Sequence, residues 1–449
     1  MRPRTLRAVS LFSNCGAGDL GYAQAGFQFD VMAELDPRRL EVCLLNHRGA
    51  VGVPGDLRET WPSVVATYRK RAGAVRPALL AACPPCQGMS SARSDRGNAE
   101  DADAGSRDKR NLLVTVIANV ATALQPDFVV VENVQAFLTR KIRHPDTQEA
   151  ISAARLLIAD LKENYEVFPV AVNLCDFGVP QTRKRTFLTF IRRDLRGLGS
   201  LLASQTTPFP IPTHAKDYGG KAITLRQALS HFALPSLDAR SSETASSSNK
   251  LHCVPIWQDR RYPMVAAIPR HTGKSAWQNQ ACEACGRVSV GNHAVLCPRC
   301  GSPLLRPVVK NPHGQYRFIK GFKSSYSRMK SDLPAATITT ASGHIGSDHT
   351  IHPYENRLLS ALECARLQTF PKTFKWGAAV DKWGLTNVRS MIGEAVPPLF
   401  TRKHGKILLR ILANRTGSSM MSFGDVRIRS ARKKLGLLSK RINHAKAMV

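Results

Sequence analysis

The chain has 449 residues, enough for two domains and a tail, and its 64 Lys and Arg against 33 Asp and Glu leave a formal net charge of +31. A surplus that large points to a polyanionic partner, because clustered cations release counterions from a phosphate backbone. No apolar run reaches eighteen residues, which excludes a membrane-spanning helix, and eleven cysteines, scattered singles plus one tight foursome, do not make a secreted disulfide scaffold.

The first half alternates short apolar strands with helical stretches. Ala8 to Phe12 follows a few arginines, is too short for a signal peptide, and reads as the first strand; a turn at Gly16 and Gly18 leads into a helix to about Ala25. Phe29 to Leu35 is a second strand, and Ala78 to Cys83 a third, ending in Pro84 and Pro85. Leu112 to Leu124 has helical periodicity and Phe128 to Val131 is a buried-strand run. This rhythm predicts an α/β fold with a parallel, doubly wound sheet, whose ligands bind beyond the carboxyl ends of the strands. Val167 to Ile191 reads as two strands around a Gly-Val-Pro-Gln turn. From about Asp194 to Ile345 the chain is rich in Ser, Pro, Gly and His and poor in helical patterns, with a polar linker or loop at Ser241 to Ser248. Helical spacing returns from Arg357 to Phe370, and the final segment is strongly basic.

Four constellations sit at predicted strand ends. Phe12 to Gly18 lies between a strand and a helix, where small residues admit a ligand to the backbone and free N–H groups face it. Glu34 ends the next strand, placed to hold the two hydroxyls of a ribose. Cys86 follows Pro84 and Pro85, which fix the backbone so that its thiol projects rigidly; Cys83 reads as a packed strand residue. Glu132-Asn133-Val134 follows a strand, and a carboxylate there can hydrogen-bond a base ring. In Gln181 to Arg185, alternation places Gln181, Arg183 and Arg185 on one face, toward a base oxygen or phosphates.

In this order the elements resemble the DNA cytosine-5 methyltransferase family, from Leu11 to about Leu408. The most specific part is Pro84-Pro85-Cys86-Gln87 followed by Glu132-Asn133-Val134 and Gln181 to Arg185. Arg357 to Pro371 is similar to the family's ninth motif, and Ile392 to Pro397 to its tenth. The resemblance implies a mixed rather than fully parallel sheet in a Rossmann-like, S-adenosylmethionine-dependent methyltransferase domain. It implies Cys86 as nucleophile, Glu132 as the acid beside the cytosine ring, Arg185 near cytosine O2, and Arg183 as support for that arginine or for the backbone. It places Phe12, Gly16, Glu34, Leu35, Asp56, Pro84, Asn111, Leu112, Glu394 and Val396 at cofactor positions, with Asp56 reaching the adenine amino group. The family usually has glycines where Asn14 and Ala17 stand, and asparagine where Glu394 stands. The product would be S-adenosylhomocysteine. The target base must leave the duplex, and the polar stretch from Gly88 to Asp108 reads as a lid closing over it.

Independently of the family, Cys282-x2-Cys285 and Cys297-x2-Cys300, eleven residues apart, predict a closed tetrahedral zinc site of structural kind. His293, between the pairs, is not needed as a ligand. The surrounding basic and aromatic residues, among them Trp277, Tyr316, Arg317, Lys320 and Phe322, suit phosphate contact and base reading. The expected layout is a catalytic, cofactor-binding domain over 1–193 completed by 386–410, a target-recognition domain over 194–385 with a zinc ribbon at 282–300, and a basic tail over 411–449 that adds nonspecific affinity for DNA. The expected partner is duplex DNA, with companion restriction or defence proteins and no membrane. The expected setting is a monomer in the bacterial cytoplasm, associated with the nucleoid, in a restriction–modification or phage-defence system. An RNA cytosine-5 methyltransferase and a catalytically silent DNA-binding regulator are the alternatives.

Overall fold

The computed structural model describes residues 5–86, 88–89, 100–288, 291, 294–321, 324–347 and 349–437. Gln87, residues 90–99 of the expected lid, His293, Phe322 and the basic positions beyond 437 lie outside the described residues. The chain divides into two compact units, one of Met1–Gly178, Lys184–Lys221 and Ala395–Val449, the other of Val179–Arg183 and Ala222–Glu394. Among the described residues no helix is long and apolar enough to cross a membrane.

The first unit is built on seven strands: β1 (Leu6–Leu11), β2 (Phe27–Glu34), β3 (Val51–Pro54), β4 (Leu79–Ala82), β5 (Phe128–Asn133), β6 (Tyr165–Asn173) and β7 (Lys184–Arg192). Their order is β3-β2-β1-β4-β5-β7-β6. The first five run parallel, as helical crossovers require, while β7 is antiparallel to both β5 and β6. The sheet is therefore mixed. The chain leaves β1 toward β2 and returns to its other side at β4, which makes the carboxyl ends of β1 and β4 a topological switch point.

Helices cover both faces. On one, the helices Leu57–Ala72, Val114–Leu124 and Ala153–Leu161 share a core with Val9, Leu11, Val31, Leu80, Val129, Leu188 and Phe190. Strand alternation sends Phe187 and Thr189 the other way. There Phe187 lies 4.6 Å from Phe400 between ring centroids, and Thr189 Oγ1 is 3.3 Å from His404 Nε2. Phe400 and His404 belong to Pro398–Leu412, which packs on Ala17–Ala25. That packing needs Gly21, because a Cβ there would sit 2.0 Å from Thr401 Oγ1. Met420–Ser422 pairs with Thr206–Pro210, and Val426–Lys434 buries Ile428 and Ala431, so part of the basic C-terminal segment is packed structure.

The second unit has few ladders. Its regular pieces are short helices such as Leu225–Phe232 and Ala361–Leu367, the kinked Ala379–Glu394, and the ribbon of Val308–Lys310 with Tyr316–Phe318. The helix predicted from Arg357 starts only at Ala361, because Ser360 caps it in a capping box with Glu363. Buried arginines satisfy backbone that sheets would otherwise satisfy. Arg328, fully buried, donates to the carbonyls of Ile268, His352, Glu355 and Val265 and to Asn356 Oδ1. Burial pulls its guanidinium down to about 10. Arg357 instead meets Glu363 in a buried two-point pair at 2.7 and 2.9 Å. Burial alone would raise the Glu363 carboxyl, but Arg357 outweighs it and holds that carboxyl at about 2.

Arg328→Lys keeps the charge but loses the fork that serves four carbonyls. It should destabilise the second unit by about 3 kcal/mol. Amide hydrogen exchange should show protection lost around residues 265–268 and 352–356, and unchanged protection there would contradict this account.

Candidate active site

The antiparallel course of β7 brings its amino end to the edge where β4 and β5 end. The register pairs Ala82 with Val131, and Glu132 with Phe187. Cys83, Glu132 and Arg185 thus come from three neighbouring strands to one place. Glu132 is only 6% exposed. Arg185 Nε lies 2.9 Å from its Oε1 in an ion pair, and the Cys83 thiol donates to its Oε2 at 2.8 Å. Cys83 is therefore more than the packed strand residue the sequence suggested. Burial, then the facing Glu132 charge, pushes its thiol well above the ordinary value.

The loop carrying Cys86 is fastened at several points. Cys83 N–H donates to the Leu11 carbonyl at 3.3 Å, Asn133 Nδ2 donates to the Pro84 carbonyl at 3.0 Å, and Met89 N–H donates to the Cys86 carbonyl at 2.9 Å. Asn133 also accepts from Val134 N–H, so the end of β5 is tied down with the loop. Cys86 is partly exposed. Cys15 and Cys43 are buried instead: burial pushes the Cys15 thiol up to about 12 and raises that of Cys43 as well. A thiolate is the reactive form, so buried neutral thiols are poor nucleophiles.

At the switch point, Phe12, Asn14 and Gly16 take positive φ values of 58°, 47° and 74°. Gly16 leaves no alternative there, because a Cβ would fall 2.7 Å from His47 Cδ2 and 2.8 Å from Cys43 Sγ. The chain then enters Ala17–Ala25 with Gly16 as its cap residue. Glu34, 7% exposed, accepts from Asn14 N–H at 2.8 Å and from Asp36 N–H at 3.1 Å, one bond to each carboxylate oxygen. Leu35 beside it is 66% exposed. Val396 packs against Gly18, where a Cβ would approach its own Cβ to 3.0 Å. Asn111, 1% exposed, donates to the Gly105 carbonyl at 2.7 Å, and its Oδ1 finds no hydrogen-bond partner among the described residues. Gly88 backbone comes down beside that oxygen, and half-buried Leu112 follows in the same turn. Asp56 caps the helix Leu57–Ala72 through Arg58 N–H, and its pairing with the Arg58 side chain holds its carboxyl below the usual range.

The remaining predicted positions belong to the second unit. Gln181 and Arg183 precede β7, so strand alternation does not govern them. Gln181 is fully buried and bonds Gln368 Oε1, the Leu367 carbonyl and Ile338 N–H. Arg183, 1% exposed, donates to the carbonyls of Ile338 and Gly393. Glu394 ends Ala379–Glu394.

The sulfur atoms of Cys282, Cys285, Cys297 and Cys300 lie within 4.8 Å of one another, a group able to hold a metal ion. The two halves repeat the same turn. Gly286 N–H donates to the Cys282 carbonyl and Gly301 N–H to the Cys297 carbonyl, with both glycines at positive φ. Arg306 braces the segment through the carbonyls of Asn279, Ala294 and Gly291.

Residues 6–410 match the family described as C-5 cytosine-specific DNA methylase. The chain is 26% identical over 411 residues to Type II methyltransferase M1.HgaI of Avibacterium volantium, covering 88% of this chain and 96% of that protein. It is 26% identical over 393 residues to Type II methyltransferase M.FnuDI of Fusobacterium nucleatum, covering 87% and 91%. Among solved structures, Entamoeba histolytica methyltransferase EhMeth shares the fold with a TM-score of 0.52 at 11% identity, covering 91% of this chain and 98% of that one.

Alkylation of the native protein with iodoacetamide near pH ~8 should modify Cys86 while leaving Cys15 and Cys43 untouched. Peptide mass mapping reads the outcome. Cys15 reacting as fast as Cys86 would contradict the burial argument.

Proposed function

The chain belongs to the C-5 cytosine-specific DNA methylase family, and we propose that it modifies duplex DNA in a Type II restriction–modification system, with Cys86 attacking carbon 6 of a flipped cytosine. The observation that carries this reading is the partly exposed Cys86 on a fastened loop beside the buried Glu132–Arg185 pair. Carbon 5 of cytosine is a poor nucleophile. Addition of the Cys86 thiolate to carbon 6 makes the ring enamine-like, and charge builds at ring nitrogen 3 and O2. Glu132 would stabilise the change at nitrogen 3, and Arg185 would face O2 while fixing the carboxylate. Once carbon 5 has gained its methyl group, a base such as a water takes the carbon 5 proton and Cys86 leaves by elimination. The base must be out of the stack, because carbon 6 is unreachable within it.

The first unit fits S-adenosylmethionine. The buried Asn111 Oδ1 is an acceptor with no partner among the described residues. Glu34 brings a buried carboxylate to the end of β2, where ribose hydroxyls could donate to it, and exposed Leu35 offers an apolar surface for the adenine. Phe12, Gly16, Pro84, Leu112 and Val396 would line the rest, with Asp56 toward the adenine amino group. When bound, this cofactor supplies an electrophilic methyl group and leaves as S-adenosylhomocysteine.

We assign target recognition to the second unit, where Lys310, Arg317 and Lys320 are exposed around the ribbon. The four cysteines there would hold a structural zinc. The Cys282–Cys300 and Cys285–Cys297 sulfur separations are both 3.6 Å. A tetrahedron of ~2.3 Å zinc–sulfur bonds calls for about 3.8 Å.

Wild-type protein should transfer label from S-adenosylmethionine to carbon 5 of cytosine within one short motif of unmethylated duplex DNA. Cys86→Ala should lose at least ~10³-fold of that rate. Base-resolution sequencing identifies the motif. Label on transfer RNA with none on duplex DNA would move the reading to an RNA enzyme.

Metal analysis of purified protein should find one zinc per chain, and Cys282→Ser should lower that content and loosen residues 282–306 in hydrogen exchange. Metal-free protein with the segment fully protected would contradict the zinc assignment.

A further inference from the structure

We propose that Cys83 is a positioning residue for Glu132, acting through its S–H rather than through its bulk. The proposal rests on the reading of Glu132 as the group that faces the cytosine ring. Cys83 directly follows β4, on the rung beside the end of β5. Its sulfur reaches Glu132 Oε2 at 2.8 Å while Arg185 occupies Oε1 at 2.9 Å. The two contacts come from opposite neighbouring strands: the ion pair with Arg185 fixes the place of the carboxylate, and the directional Cys83 hydrogen bond fixes its plane. Arg185 alone would leave the carboxylate free to turn about its last bond. A buried carboxylate oxygen without a donor is also costly, and loss of one donor is felt strongly there.

The thiol suits this task because it keeps its proton. Burial and the facing Glu132 charge both disfavour the thiolate. Cys83 is thus a standing donor, and the same chemistry bars it from acting as the nucleophile. The division of labour within Cys83-Pro84-Pro85-Cys86 follows: the first thiol holds the acid, and the second, past two stiff residues, meets the base. The backbone supports the arrangement. Cys83 N–H is tied to Leu11, and the Pro84 carbonyl to Asn133, so the thiol cannot drift from Glu132 without disturbing both strands.

The test compares Cys83→Ser, which keeps a donor, with Cys83→Val, which fills the space without one. Methyl transfer to duplex DNA is measured with both, alongside Cys86→Ala. Cys83→Val should lower kcat about tenfold with KM for DNA unchanged within about twofold, and Cys83→Ser should recover to within about threefold of wild type. A packing role predicts the reverse order, and Val at or above Ser would overturn the proposal. A readout independent of activity is the S–H stretch. The infrared difference between wild type and Cys83→Ser should show a band at lowered frequency that returns upward in Glu132→Gln. A band indifferent to Glu132→Gln also overturns it. An active Cys86→Ala would strike the underlying catalytic reading instead, while the infrared result would still decide whether Cys83 holds Glu132.

Discussion

A carboxylate taken out of water must be given partners, and at Glu132 the fold meets that demand with its topology. The side chain lies one residue before the end of β5, at 6% exposure. Isolated burial of such a charge costs several kcal/mol, so an opposite charge and a donor must be at hand. A fully parallel sheet would put the amino end of β7 at the far edge. Because β7 runs antiparallel, Arg185 arrives at the carboxyl edge and pairs with Glu132. The one departure from a parallel sheet is thus what makes a buried acid tenable beside Cys86. The same edge, at the switch point between β1 and β4, carries Glu34 and the turn through Gly16, so the groups proposed for the cofactor and those proposed for the chemistry share one rim of one sheet.

The second unit solves a different problem. It encloses a core around Trp257, Ile351 and Leu358 with little regular structure to absorb backbone polar groups. Arginine does the absorbing. Arg183, Arg306, Arg328 and Arg389 each donate to two or more backbone carbonyls while almost fully buried. A planar guanidinium offers five donors in a fixed fork, which suits loops whose carbonyls converge from several directions. The net charge of +31 therefore overstates what is available to a polyanion. Part of it is internal scaffolding.

Much of this was legible in the sequence where one local rule dominates. The apolar runs of β1, β2, β4 and β5 were readable because each is bounded by Gly, Pro or acidic residues at the ligand edge. The paired knuckles of cysteines carry their own spacing. The antiparallel β7 was expected only through the family resemblance, since no periodicity encodes strand order. Other features depend on tertiary neighbours. Gln181 and Arg183 looked like alternating strand residues, but β7 begins after them and the backbone carbonyls of other segments claim their side chains. The contact of Cys83 with Glu132 joins residues far apart in sequence, and only its position at the end of a strand hinted at it. The segment 420–434 looked like an exposed basic tail because its few apolar anchors, Met421, Ile428 and Ala431, are diluted by arginine and lysine.

The central claim is that Cys86 forms the covalent bond to the target base. Duplex DNA in which cytosine is replaced by 5-fluorocytosine tests it most directly, because fluorine at carbon 5 blocks the final elimination and traps the adduct. Incubated with S-adenosylmethionine, the protein should form a denaturation-resistant complex whose cross-linked peptide contains Cys86 as the modified residue. A trapped complex through Cys83 or another residue, or methyl transfer to ordinary DNA with no trapping on the fluorinated duplex, would contradict the account.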